Sequence, residues 1–193
     1  ECARRAFSDG CDFVCVLPAS GSLYRWYEKT LGTRTRFWIR ELKIARRELP
    51  EAPPSIRAEA VDPCQYGVLR EKLLFGMPHA RFDGRLLRFQ EAICKYYGGG
   101  LYRLKCGDAE GCAAAVAGGN ALNICELLLP DVPMLQAVSA LAALHPADSF
   151  IVRSPAFWGG DQGGTIREHV AVVSPPGRPF PLIKDAYWGL AFD

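Results

Sequence analysis

The chain has 193 residues, 49% of them hydrophobic, and a formal net charge of +2 at pH 7. That is apolar material for one large packed domain, or for a domain with part of another. The charge is too small to argue for nucleic acid or for an anionic membrane surface as a partner. No apolar stretch is long enough to span a bilayer, and a cytoplasmic location is expected. Eight cysteines suggest a disulfide set, but none forms a CxxC pair, and so apolar a chain needs no covalent staples. Reduced thiols are expected; Cys106 and Cys112, which bracket a turn, are the pair able to meet. The three histidines show no ligand spacing, and no metal is expected.

Glu1 to Gly10 reads as the end of a helix, with Gly10 as its stop. A chain that opens in this way is expected to be the C-terminal part of a longer protein. Phe13 to Leu17 is a continuous apolar run, the pattern of a strand buried on both faces. Pro18 stops it, and Ser20 or Ser22 can cap the next helix. Leu23, Tyr24, Tyr27 and Leu31 share one face of that helix, and Gly32 is placed to end it. Thr35 to Ile44 is rich in β-formers and reads as a strand. Arg34, Arg36, Arg40, Lys43, Arg46 and Arg47 are interrupted by Glu41 and Glu48, which suits a solvated face. Residues 50–55 form a proline-rich linker, a natural boundary between residues 1–49 and residues 56–193.

Beyond the linker, Tyr66, Leu69 and Leu73 fall at helical spacing within Pro63 to Leu74. Asp83 caps a stronger helix to Tyr97, with Leu86, Phe89, Ile93 and Tyr96 or Tyr97 on its expected inner face. Gly98, Gly99 and Gly100 close this helix and precede a strand, which favours a turn over a phosphate loop. Leu101 to Cys106 and Cys112 to Val116 make a hairpin around GDAEG, and Ala121 to Leu129 is a third strand. Asp131 and Pro133 suit the start of a helix whose expected inner face is Leu135, Val138, Leu141 or Ala142, and His145. Ser149 to Val152, Glu168 to Val173 and Tyr187 to Phe192 read as further strands. GGDQGGT, from Gly159, reads as a loop.

The stretch LPASGSLYRWYEK, Leu17 to Lys29, resembles the strand and helix that follow the coenzyme loop in GCN5-related N-acetyltransferases (GNATs). ALNICELLL, Ala121 to Leu129, is similar to the central strand of that family. The resemblance implies an α/β (α+β) fold with a mixed, mostly antiparallel central sheet flanked by helices. It makes residues 1–49 the end of a first GNAT unit and residues 56–193 a second, degenerate one. The implied activity is transfer of acetyl from acetyl-CoA to the primary amine of a small molecule or peptide, with the second unit shaping the acceptor site. Tyr27, or Tyr24 in its place, is the implied acid for the departing thiolate, and Ser20 and Ser22 are implied contacts of the coenzyme. By analogy with two-unit acetyltransferases of the enhanced-intracellular-survival type, Asp193 is a further catalytic candidate at the C-terminal carboxylate.

The family places Arg/Gln-x-x-Gly-x-Gly/Ala after its central strand, where this chain has LPDVPM, Leu129 to Met134. Two prolines remove amide donors and Asp131 repels phosphate, so the second unit is expected not to bind acetyl-CoA. The main coenzyme loop is then absent from this chain, which alone is expected to be inactive. Glu126, with no thioester site beside it, is read as solvated or paired. The alternative reading is a non-catalytic GNAT-like module for ligand binding or pairing, including a homo-oligomer.

Overall fold

The computed structural model describes residues 1–52, 55–129, 132–158, 163–178, 181 and 185–190. Its strands are β1 (Val14–Val16), β2 (Arg34–Ala45), β3 (Ile56–Ala60), β4 (Gly100–Cys106), β5 (Ala109–Gly118), β6 (Ala121–Leu128), β7 (Ser149–Pro155) and β8 (Thr165–Val173). They form an eight-stranded sheet in the order β1-β8-β2-β7-β6-β5-β4-β3. β6 and β7 run parallel, and the other pairings are antiparallel. The helices are α1 (Cys2–Ser8), α2 (Gly21–Leu31), α3 (Pro63–Leu73), α4 (Gly84–Tyr96) and α5 (Met134–Ala142). The mixed, mostly antiparallel sheet with flanking helices is the expected fold class. Although β2 precedes the linker, it lies hydrogen-bonded between β7 and β8.

α5 connects the two parallel strands, as a parallel pair requires. Almost every residue of α5 is buried, and its Val138 and Leu141 join Leu104, Ile124 and Phe150 in the core on that face. On the other face α3 and α4 bury Tyr66, Leu69, Leu87 and Cys94 against Leu101, Cys112 and Leu128. The helices meet closely at Gly67, where a Cβ would lie 2.8 Å from Leu87 Cδ1. Gly98 ends α4 at φ 75°, and a Cβ on Gly99 would lie 1.9 Å from the Ala115 carbonyl oxygen. The triple glycine is therefore a turn laid tightly against β5, as its position predicted.

Several expectations are corrected by tertiary contacts. Phe13 to Leu17 is not buried on both faces. Its strand, β1, is a three-residue, half-buried edge strand, and Phe13 is 41% exposed. No residue of α2 is fully buried, and Leu23 and Leu31 face solvent. α4 is rolled by one residue: Leu87, Gln90 and Cys94 face inward, while Leu86, Phe89, Tyr96 and Tyr97 are exposed. Leu135 lies on the outer side of α5. β3 has the alternating pattern IRAEA, short enough for the linker beside it to hide it. Tyr187 to Leu190 is not a strand: Tyr187 forms an isolated bridge to His79, and Gly189 turns the chain at φ 81°.

Arg40 is buried and does not belong to a solvated face, whereas Arg46 is exposed but bonded to backbone. Arg40 donates to the carbonyls of Ala156, Trp158 and Gly163, and Arg46 to those of Ala142, His145 and Ala147. Cys106 and Cys112 do not pair, because the hairpin register sets Cys112 opposite Arg103 and Cys106 opposite Ala109. All eight cysteines are free thiols.

Candidate functional site

The N-terminal end of α2 borders a cleft of about 210 Å³ on the sheet. Ser20 is extended and caps the helix, accepting from the Leu23 amide at 3.4 Å. Ser22 is exposed, its Oγ 2.9 Å from that of Ser20. One turn into the helix, the Tyr24 hydroxyl donates to the His169 carbonyl at 2.6 Å. This bond ties α2 to β8. Glu41, Arg153 and Arg167 lie across the cleft, with Glu41 paired to Arg167 at 2.5 Å and to Arg153 at 3.6 Å. Glu168 lines both this cleft and a second one of about 210 Å³ that Tyr24 also borders. His169 is buried, and its Nε2 stands 3.0 Å from the Gly189 carbonyl. A carbonyl can only accept, so this nitrogen carries the proton.

Tyr27 is half-buried, with its ring edge-on to Trp26 at 4.9 Å between centroids. The structure thus brings Tyr24, Ser20 and Glu168 to one cleft, and packs Tyr27 against its own helix neighbour. Asp193 and the pair Pro130 and Asp131 lie outside the described residues.

A second constellation lies on the α3 face. β6 pairs with β7 only as far as Ile124 opposite Val152, and the two strands then part. Glu126 lies just past that point, fully buried, where β6 carries a bulge against β5. Tyr66 donates to its Oε2 at 2.5 Å, and Arg70 Nε sits 3.1 Å from the same oxygen. Arg70 also donates to the Ala80 carbonyl at 2.8 Å and stacks over Phe82 at 4.7 Å. Glu126 is thus paired rather than solvated, which is the second of its two expected states.

Burial works against the Arg70 cation, but Glu126, with the tyrosines around it, outweighs this and raises its pKa. Burial first, and Glu126 second, push both Tyr66 and Tyr187 well above the usual phenol range. Unfolding returns these phenols to a pKa of about 10. Above that pH the unfolded chain releases protons that the folded one keeps, so stability is present below pH 10 and is lost as the pH climbs past it. Urea midpoints measured from pH 8 to pH 11 are expected to fall over the last unit. A flat profile would mean that the two phenols ionise freely in the folded protein.

In the sequence, the only signal of this cluster was a lone acid inside the apolar run Ala121 to Leu129. Its partner Arg70 stands 56 residues away, on a helix whose apolar spacing does not mark an inward arginine.

No family model and no curated protein matches the chain. Solved structures do. A GCN5-related N-acetyltransferase from Anabaena variabilis superposes with a TM-score of 0.58 at 13% identity, covering 89% of this chain and 48% of its own. A probable N-acyltransferase from Enterococcus faecalis gives 0.57 at 14% identity, with 89% and 47% covered. Eis1 from Mycobacterium abscessus gives 0.54 at 11%, with 89% and 49% covered. The chain has the GCN5-related N-acetyltransferase fold. It spans about half the length of these neighbours.

In a GNAT fold the question is then whether the turn from β6 into α5 suits acetyl-CoA. A diphosphate needs open backbone amides at a helix N-terminus. Here Pro133 is the N-cap residue and has no N–H to offer, and Met134 is packed into the core. Of the donors at this helix start, Pro133 supplies none.

Proposed function

We propose that these residues form the rear part of an N-acetyltransferase that uses acetyl-CoA to acetylate a primary amine on a small molecule or peptide. The GNAT fold supports the reaction class. The position of Tyr24 carries the reading: its hydroxyl is held at the wall of a cleft that Glu168 also lines. In this reading the Tyr24 hydroxyl, rather than that of Tyr27, turns from the His169 carbonyl to give its proton to the departing thiolate, and Glu168 takes the proton of the attacking amine. Residues 1–49 complete a first GNAT unit, and residues 56–193 form a second one that walls the acceptor side. Pro133 and Met134 favour a non-catalytic role for the second unit. The coenzyme is then held by residues upstream of this chain.

Calorimetric titration separates these roles. Acetyl-CoA is expected to give no binding heat with this chain, and a clear isotherm with a longer protein that carries the upstream unit. Heat with this chain alone would overturn the reading of the turn into α5. No heat with either protein would overturn acetyl transfer.

A further inference from the structure

A second, more apolar cavity lies apart from the α2 cleft. It has a volume of about 470 Å³ and lies where the chain entering β1 meets the segments around His79 and Trp188. Its walls are aromatic and aliphatic: Phe37 and Trp188 meet edge to face with centroids 5.5 Å apart, and the half-exposed ring of Phe13 stands beside them. Volume and lining are those of a small-molecule site.

The wall is held in place from the core. Tyr187 donates its amide to Pro78 O and accepts from the Ala80 amide, both at 2.9 Å. Arg70, anchored by Glu126, donates to Ala80 O at 2.8 Å and reaches Trp188 O at 3.4 Å. The buried ion pair therefore organises both segments that line the cavity. His79 is already engaged, with Nδ1 on Met77 O and Nε2 on Glu71.

Two charges at the cavity remain. Asp12 and Arg178 both line it, both are exposed, and neither forms an ion pair among the described residues. A purely cationic ligand would meet Arg178, and a purely anionic one would meet Asp12. A ligand that carries both charges on an aromatic body satisfies each part of the lining.

We propose that this cavity binds an aromatic zwitterion of amino-acid to dipeptide size, with its ring against Phe13, Phe37 and Trp188, its ammonium at Asp12 and its carboxylate at Arg178. The inference needs no coenzyme and stands apart from acetyl transfer.

The test is calorimetry on this chain with L-phenylalanine, the dipeptide of two phenylalanines, phenethylamine, 3-phenylpropionate and glycine. The first two are expected to bind, each singly charged analogue about tenfold or more weaker than phenylalanine, and glycine not at all. Asp12→Asn is expected to weaken phenylalanine and phenethylamine but not 3-phenylpropionate, and Arg178→Gln to do the converse. Both residues are exposed, so the variants keep the fold, which circular dichroism checks. Equal binding of the analogues, binding indifferent to both substitutions, or no binding of either zwitterion overturns the proposal.

Discussion

Replacing Glu126 by glutamine is expected to lower the unfolding free energy by about 3–5 kcal/mol, enough to leave most of the chain unfolded at modest denaturant. The carboxylate is fully buried and is the counter-charge of Arg70, itself 1% exposed. Glutamine keeps the shape and can still accept from Tyr66, so the loss measures charge rather than volume. The guanidinium would stay buried with two carbonyls, the Phe82 ring and the more distant Glu71, 3.6 Å away, as its remaining partners. Removing both charges is expected to cost far less. Glu126→Leu combined with Arg70→Met replaces a desolvated pair by apolar side chains of similar volume, a change that is often near neutral. Urea unfolding of the two variants reads the difference. If Glu126→Gln costs under about 1 kcal/mol, the pair contributes no more than an exposed one does. Because Arg70 also holds Ala80 and Trp188, the double variant is expected to fold yet lose ligand binding in the cavity beside Trp188.

Under the proposed acetyl transfer, Tyr24→Phe in a longer protein that carries a coenzyme-binding unit is expected to lower kcat by about 10²-fold or more while leaving acetyl-CoA affinity unchanged. The substitution keeps the ring and removes only the hydroxyl that bonds to His169 O. Its structural cost is one part-buried hydrogen bond, about 1 kcal/mol, which a melting curve reads separately. Tyr27→Phe is expected to change kcat by less than about threefold, since that ring packs on Trp26 and its hydroxyl is not placed at the Tyr24 cleft. Free thiol release from acetyl-CoA with a saturating amine gives both numbers. If the large loss follows Tyr27 instead, the proton passes through the second tyrosine and the Tyr24 hydroxyl serves only to tie α2 to β8.

Local chemistry determined most of the elements in advance. Ser20 and Gly32 bound α2 as expected, Asp83 starts α4, Gly98 stops it, and the hairpin from β4 to β5 follows its turn residues. These features depend on neighbours within four or five residues, so a sequence carries them whole. The mixed sheet class was implied by the resemblance of Leu17 to Lys29 and Ala121 to Leu129 to GNAT segments. Only the tertiary structure decided which faces are buried. An apolar run such as Phe13 to Leu17 is compatible with a central or an edge strand, and only the pairing of β1 with β8 makes it an edge. α4 has apolar residues on two adjacent faces, and the crossing at Gly67 selects Leu87 over Leu86. The buried charges were beyond local reach for the same reason. Glu126 is stable in the core only because a strand fork, an arginine 56 positions earlier and a tyrosine converge on it, and such a convergence is a property of the packed chain rather than of any segment.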